Sequence, residues 1–139
     1  MPEFSDASAR TMLEHVAQVS SPFTDVKLVT LGGAVARVGE DETAFCHRTS
    51  RYALAIQTRW ADAHRPAEHL AWSGAFFEAM KAHSTGKVYV NFMADEGARR
   101  VKDAYAARTF ERLQAIKAAY DPHNLFRMNQ NIAPAAIGA

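Results

Sequence analysis

The stretch Tyr52-Ala53-Leu54-Ala55-Ile56-Gln57-Thr58-Arg59-Trp60 shows the clearest strand pattern in the chain. Its larger side chains fall at every second position, so they share one face of a β-strand, and the residues between them share the other face. A helix is predicted to follow over residues 66–83, where Pro66 suits the first turn. Its expected buried side is marked by Leu70, Phe77 and Met80 and widened by Trp72 and Phe76. A strand followed by an apolar helix indicates a sheet that is covered by helices.

The other patterned segments extend this layer. Strands are predicted at residues 25–31, 34–38 and 87–92, and helices at 6–19 and 98–120, the last with a break near Ala106. The element order α-β-β-β-α-β-α-α predicts an α+β fold. We expect an antiparallel sheet of about four strands with helices packed on one face.

Composition excludes several classes of protein. A chain of 139 residues with 48% hydrophobic and 22% charged residues is typical of one globular domain and excludes overall disorder. The formal net charge of +1 argues against nucleic-acid binding by bulk electrostatics, and the apolar runs are too short for a membrane span. The single cysteine, Cys46, excludes an intramolecular disulfide, and the acidic first residues do not resemble a signal peptide. We therefore expect a cytoplasmic protein.

Two polar side chains suggest chemistry. In the predicted strand 87–92, Tyr89 and Asn91 share one face, whereas Val88, Val90 and Phe92 share the other. A phenol can exchange a proton, and an amide can pair with a ring that has donor and acceptor edges. The alternative is a tyrosine at a sheet edge and an asparagine that leads into a turn, with no function.

Other candidate sites are weaker. The histidines form no metal-binding pair at helical spacing, no metal site is predicted, and we expect solvated rings at His15, His47, His64, His69, His83 and His123. Cys46 and His47 are adjacent, and neighbouring side chains of an extended chain point to opposite sides, so no catalytic thiol is expected. The sequence has no glycine-rich phosphate loop.

An ordered set of motifs resembles the berberine-bridge-enzyme-like flavoprotein oxidases, members of the vanillyl-alcohol-oxidase class. Tyr89-Val90-Asn91-Phe92 with Asp95 is similar to a Y-x-N-x-x-x-D region of that family. Downstream, a second set of residues resembles the signature with which members of that family end. It consists of Tyr105, Phe110-Glu111-Arg112-Leu113, Lys117, Tyr120-Asp121-Pro122 and Asn124-Leu125-Phe126-Arg127, continued by Asn129-Gln130-Asn131-Ile132. Upstream, Gly32-Gly33-Ala34-Val35 and Thr43-Ala44-Phe45-Cys46-His47-Arg48 resemble substrate-domain strands.

The resemblance implies a piece of a larger flavoprotein. Residues 1–86 would be the end of the substrate-binding α+β domain, residues 87–139 the berberine-like C-terminal segment, and the FAD-binding domain would be absent. The implied function is that of the C-terminal portion of an FAD-dependent oxidoreductase, which oxidises alcohols or amines by hydride transfer to flavin. We expect it to be inactive without an FAD domain supplied in trans, and to bind FAD weakly or not at all when alone.

The resemblance also assigns roles to single residues. It implies that Tyr89 is catalytic and contacts the cofactor, and that Asn91 is a second cofactor-binding residue. Phe92 stands where many members carry a second tyrosine, so a two-tyrosine mechanism is not expected here. The expected partners are an FAD-binding-domain subunit and further copies of the chain, with no nucleic acid and no membrane. The alternative function is a non-catalytic α+β binding or self-association module.

Overall fold

The computed structural model describes residues 1–61, 65–93 and 97–136, without the side chains of residues 98 and 99. The elements in chain order are α1 (Asp6–Val16), β1 (Asp25–Thr30), α2 (Ala34–Arg37), β2 (Tyr52–Gln57), α3 (Pro66–Lys81), a 3₁₀ helix (Val90–Phe92), α4 (Ala98–Lys102) and α5 (Ala107–Tyr120). These elements confirm an α+β architecture with an antiparallel sheet. None of the helices in the described ranges is long and apolar enough to span a membrane.

The chain divides into two compact units. The first unit comprises Met1–Val35 and Thr49–Thr85, and the second comprises Ala36–Arg48 and Gly86–Ala139.

The first unit contains the sheet and its helical cover. Strands β1 and β2 pair antiparallel, with Asp25 opposite Gln57 and Thr30 opposite Tyr52. The alternate apolar residues of both strands pack on α3, where Phe76 and Met80 are buried. The predicted strands at 25–31 and 52–60 and helices at 6–19 and 66–83 are therefore confirmed, with slightly shorter bounds.

The buried side of α3 differs from the prediction. Met80 and Phe76 are buried, but Leu70 is 58% exposed and Phe77 is 41% exposed. Because α3 carries apolar residues on most of its circumference, spacing alone does not identify the side that faces the sheet.

The predicted sheet of about four strands is wrong, because the sheet in the described residues has two. The segment predicted as a strand at 34–38 forms α2, since Gly33 turns the chain with a φ of 63° and alanines favour the helix that follows. The segment predicted at 87–92 is extended at Tyr89 and then closes into the 3₁₀ helix. Apolar runs of five or six residues do not distinguish a strand from a short helix, because they cover less than two helical turns.

In the second unit, the predicted helix at 98–120 is present and is interrupted between α4 and α5, as expected near Ala106. At the end of α5, the Asp121 carboxylate accepts hydrogen bonds from the backbone N–H groups of Leu125 (2.8 Å) and Phe126 (3.0 Å). Lys117 forms an ion pair with Asp121 and donates to the Phe126 carbonyl at 2.6 Å. These bonds fold the chain back on the helix end, so Asp121 has a structural role.

The Lys117 ammonium lowers the pKa of Asp121 below its ordinary value, and the two backbone donors act in the same direction, against the effect of burial. The carboxylate form is therefore the one that holds the loop.

Candidate functional site

The structure brings Tyr89 and Asn91 together, although not on a strand. The Phe92 N–H donates to the Tyr89 carbonyl at 2.8 Å and closes the one-turn 3₁₀ helix. This turn places the Asn91 amide beside the phenol, and Asn91 Nδ2 donates to Tyr89 Oη at 2.8 Å. Tyr89 is half-buried and Asn91 is exposed, so the hydrogen-bonded pair lies where the buried wall of the unit meets its surface.

Aromatic rings surround the Tyr89 ring on several sides. The Phe45 ring is 5.4 Å away at 82°, and the Phe92 ring is 5.0 Å away at 78°, so both make edge-to-face contacts. The His47 ring lies 6.5 Å from the Tyr89 ring, at 84°. Edge-to-face packing restricts a ring sterically and electrostatically, and here it keeps the polar end of Tyr89 next to Asn91.

Phe45 is held in place by the loop that carries it. The Arg48 Nε donates to the Phe45 carbonyl at 3.1 Å, and its guanidinium carbon lies 4.8 Å from the centre of the Phe45 ring. The same guanidinium donates to Thr43 Oγ1 at 2.6 Å. One arginine therefore fixes the backbone, the ring and the start of the loop.

Cys46 and His47 are both buried, with exposed fractions of 0% and 6%. Cys46 Sγ lies 3.8 Å from His47 Nδ1 and 3.4 Å from the Ala104 carbonyl oxygen, an acceptor for the thiol. The expectation that the two side chains point apart is wrong, because residues 45–47 belong to an irregular loop rather than a strand. Burial raises the pKa of the nearby Tyr105, and Cys46 contributes to this shift.

The expectation of solvated histidines is wrong at two positions. Burial lowers the pKa of His47, and the nearby Val88 backbone partly opposes that shift. In the first unit, His69 is 6% exposed, has Nδ1 2.9 Å from Ser20 Oγ, and stacks on Trp60 at 5.2 Å. A neutral ring with one donor and one acceptor can be buried where both find partners.

Two residues named from the sequence, His64 and Asp95, lie outside the described residues. Within the described ranges, no group of three or more His, Cys, Asp or Glu side chains could hold a metal ion.

Comparison with known proteins relates this site to a family. Residues 88–133 match the sequence model of the family described as berberine and berberine like. The chain is 30% identical over 134 residues to the uncharacterized FAD-linked oxidoreductase YgaK of Bacillus subtilis, which covers 96% of this chain and 29% of that protein. It is 34% identical over 114 residues to a monolignol oxidoreductase of Arabidopsis thaliana, which covers 73% of this chain and 21% of that protein.

Residues 88–133 thus match the berberine-like family, and most of the chain is similar to part of an FAD-linked oxidoreductase. The structure of this chain superposes on Physcomitrella patens BBE-like 1 with a TM-score of 0.83 at 24% identity, over 98% of this chain and 29% of that chain. The chain thus spans less than a third of the length of these relatives.

YgaK is an FAD-linked relative, so FAD is the cofactor that the residues of this site would have to fit. Tyr89 and Asn91 supply a hydroxyl and an amide at the edge of an aromatic wall, which suits the polar edge of a planar ring system. Both residues lie inside the matched segment, and so does Phe92. The sequence offers no glycine-rich loop for the pyrophosphate of that cofactor.

Phe45 and His47 are the site residues that sequence reasoning missed. The resemblance places the stretch Thr43–Arg48 on a strand of the substrate domain, whereas the structure places it in a loop. Its contact with Tyr89 joins positions more than forty residues apart in the chain, and hydrophobic periodicity carries no signal for such a pairing.

Proposed function

We propose that this chain is the C-terminal portion of an FAD-dependent oxidoreductase that oxidises an alcohol or an amine. The observation that carries the proposal is the Tyr89–Asn91 hydrogen-bonded pair, at 2.8 Å, inside the segment that matches the berberine-like family. The FAD-linked descriptions of the relatives support the reaction class. Bound flavin would supply the electron acceptor, to which the substrate carbon transfers a hydride.

The role proposed for this chain is proton handling at the substrate. Asn91 donates to the Tyr89 oxygen, a contact that suits a negatively charged oxygen. We propose that this oxygen acts as the phenolate and accepts the proton of the substrate O–H or N–H while the substrate carbon loses its hydride. Phe92 has no hydroxyl, so the proton step falls to Tyr89. The rings of Phe45 and Phe92 hold the phenol and limit the approach of water from their sides.

We propose that the rest of the FAD site comes from a separate part of the protein or a separate subunit. In this scheme residues 1–86 end a substrate-binding domain and residues 87–139 form the berberine-like segment. The chain alone would bind FAD weakly or not at all and would be inactive, and it would work in the cytoplasm.

An exposed apolar segment supports the proposal of a partner. Tyr120, Leu125, Phe126 and Met128 are between 75% and 87% exposed. The Asp121 hydrogen bonds hold the backbone beneath them in one conformation. A fixed cluster of exposed large apolar side chains is typical of a contact surface.

The function is tested in a chimaera, in which this chain replaces the matching segment of the Arabidopsis monolignol oxidoreductase. A monolignol serves as the assay substrate. We expect the chimaera to retain flavin. Tyr89→Phe should lower the rate of flavin reduction by at least about tenfold, since general-base catalysis contributes about 10²–10⁴-fold. Asn91→Ala should release flavin more readily, because it removes a hydrogen-bonding group.

Tyr52→Phe is the matched control, because it removes the hydroxyl of a tyrosine that lies in the first unit, outside the site. A folded, active chimaera in which Tyr89→Phe and Tyr52→Phe reduce flavin equally fast would contradict the role of Tyr89. A folded chimaera that holds no flavin would contradict the proposed function itself.

The exposed segment also favours self-association as a second candidate function for the isolated chain. We expect light scattering to give a mass above the 15.3 kDa of one chain at micromolar concentration. Phe126→Ser should reduce that mass, because it removes a large apolar side chain that is 84% exposed. A monomer mass at every concentration would exclude this candidate.

A further inference from the structure

Gln130 joins the last part of the chain to the turn that carries the candidate site. Its Nε2 donates to the Met93 carbonyl at 3.0 Å, although the two residues are 37 positions apart in the chain. Met93 is the residue that ends the 3₁₀ helix, and its own N–H donates to the Val90 carbonyl at 3.3 Å. Both backbone polar groups of Met93 are therefore bonded, one within the turn and the other to Gln130.

The 3₁₀ helix needs such a support because it is short. It spans three residues, Val90–Phe92, and is closed by two backbone hydrogen bonds. A single helical turn is marginally stable in water, since few hydrogen bonds offset the ordering of its backbone. The Asn91 side chain is exposed and lies 2.8 Å from Tyr89 Oη, so it depends on the turn for its place beside the phenol.

The segment that carries Gln130 is itself folded. Asn129 has a φ of 60°, in the left-handed region, and its carbonyl accepts from the Asn131 N–H at 2.9 Å, so the chain turns sharply at Gln130. Further along, the Ala135 N–H donates to the Gln114 carbonyl of α5 at 3.1 Å. The Gln130 amide is therefore presented by a turn whose continuation is bonded to a helix of 14 residues.

We propose that Gln130 is a positioning residue that fixes the end of the 3₁₀ helix at Met93 and thereby keeps the Asn91 amide against the Tyr89 oxygen. This gives a role to a residue of the stretch Asn129-Gln130-Asn131-Ile132, to which the family resemblance assigns none. The effect of Gln130 on the geometry of the turn stands by itself. Its effect on turnover rests on the proposed function.

Two substitutions separate the donated hydrogen bond from the rest of the side chain. Gln130→Glu keeps the size of the side chain and an oxygen at its end, but at neutral pH it has no N–H to donate to the Met93 carbonyl. Gln130→Lys has only N–H donors, on a side chain long enough to reach the same carbonyl. If the donated hydrogen bond holds the turn, the lysine variant should resemble the wild type and the glutamate variant should not. Gln130→Met, which has neither donor nor charge, replaces the glutamate variant if that variant does not fold.

The first measurement is the NMR signal of the Asn91 side-chain amide in the full chain, assigned by its disappearance in Asn91→Ala. We expect Gln130→Glu to move this signal to the position of a solvent-exposed amide, and Gln130→Lys to leave it near the wild-type position. Gln18→Glu is the matched control, because Gln18 lies in the first unit and also donates to a backbone carbonyl, that of Glu14, at 3.4 Å. The control should leave the Asn91 signal unchanged.

An Asn91 signal that is unchanged in a folded variant without the donor would overturn the proposal. A lysine variant that shifts the signal as far as the glutamate variant would do the same, because the N–H donor would then not be what holds the turn.

The second measurement is flavin reduction in the chimaera, with the monolignol as substrate. Gln130→Glu should lower the rate by about tenfold or more with KM unchanged, since a misplacement of about 1 Å can cost about 10²-fold, and Gln130→Lys should restore most of the rate. An active chimaera in which Gln130→Glu is as fast as Gln18→Glu would refute the effect on turnover. If the NMR result holds but no chimaera reduces flavin, the positioning role stands and the proposed function fails.

Discussion

The most direct test of the first unit is the pair of adjacent phenylalanines on α3. Phe76 has an exposed fraction of 0%, stacks on His15 at 5.0 Å and contacts Trp72 at 5.6 Å. Phe77 is 41% exposed, and the Lys81 ammonium lies 5.4 Å from the centre of its ring. The two residues have the same side chain and the same helix propensity, so they differ only in the face of α3 on which they lie.

The two costs follow from the buried area. Burial of a phenylalanine removes about 150–250 Å² from water, and at about 25 cal/mol per Å² the loss in Phe76→Ala is about 4 kcal/mol of unfolding free energy. Phe77→Ala loses about three-fifths of that area and leaves no enclosed cavity, so its cost is about 2 kcal/mol. We therefore expect a difference of about 2 kcal/mol between the two variants.

Urea unfolding of the full chain, followed by far-ultraviolet circular dichroism, measures this difference. With a denaturant slope of about 2 kcal/mol per molar, the midpoint of Phe76→Ala should lie about 1 M below that of Phe77→Ala. Equal midpoints, or a lower midpoint for Phe77→Ala, would show that α3 faces the sheet with a different side.

Three further outcomes are expected. Asp121→Asn should destabilise the chain at pH 7, and the difference from wild type should shrink as the pH falls from about 4 through the lowered pKa of the folded carboxyl, because the stabilisation is complete above the unfolded-state pKa and is lost when the folded carboxylate takes up a proton; urea midpoints at two pH values check this. Gly33→Ala should cost about 1 kcal/mol in a thermal melt because φ is 63° there, whereas Gly32→Ala, at a position with open space and no positive φ, should be nearly neutral. The Cys46 thiol should resist thiol reagents in the folded chain and react in denaturant, as a colorimetric thiol assay would report, since its exposed fraction is 0%.

The helices and the two strands of the first unit could be predicted because their signals are local. Ser5 caps α1, accepting a hydrogen bond from the Ser8 N–H, and Pro66 starts α3. Larger side chains recur at every second position of both strands, clearly in β2 and weakly in β1. Six residues cover three full periods of a strand. Patterns of that length identify a helix or a strand even when the tertiary contacts are not known.

The errors lie in segments that cover less than two helical turns, which is too short for periodicity to separate a strand from a helix. Residues 34–38 and 87–92 are apolar enough for strands, but a strand also needs a neighbour, and sequence alone does not show whether one is available. The predicted buried side of α3, which includes Leu70 and Phe77, is wrong for a related reason. Apolar residues occupy several of its sides, so the packing partner decides which one is covered.

The site was found only in part, and the reason is again distance along the chain. Tyr89 and Asn91 are two residues apart, so any local conformation that puts them on one side brings them together, and the 3₁₀ turn does so as a strand would. Phe45 and His47 reach the same place through a loop that closes from more than forty residues away. Only the fold, or an alignment that shows coupled positions, can reveal such neighbours.

The Asp121 carboxylate and the Tyr89 hydroxyl both lie in the matched segment, but they differ in where their hydrogen bonds go. The difference helps to distinguish a structural residue from a candidate functional one. Both carboxylate oxygens of Asp121 bind groups of the same chain: the backbone N–H groups of Leu125 and Phe126 and the Lys117 ammonium. Such a closed set stabilises a loop and has little left to offer to a ligand. Tyr89 accepts from Asn91 at the surface, and its oxygen has further hydrogen-bonding capacity. The described part of the segment from 88 to 133 therefore contains one element whose polar groups bond within the chain and one with capacity left for a ligand, and the proposed function is tested at the second.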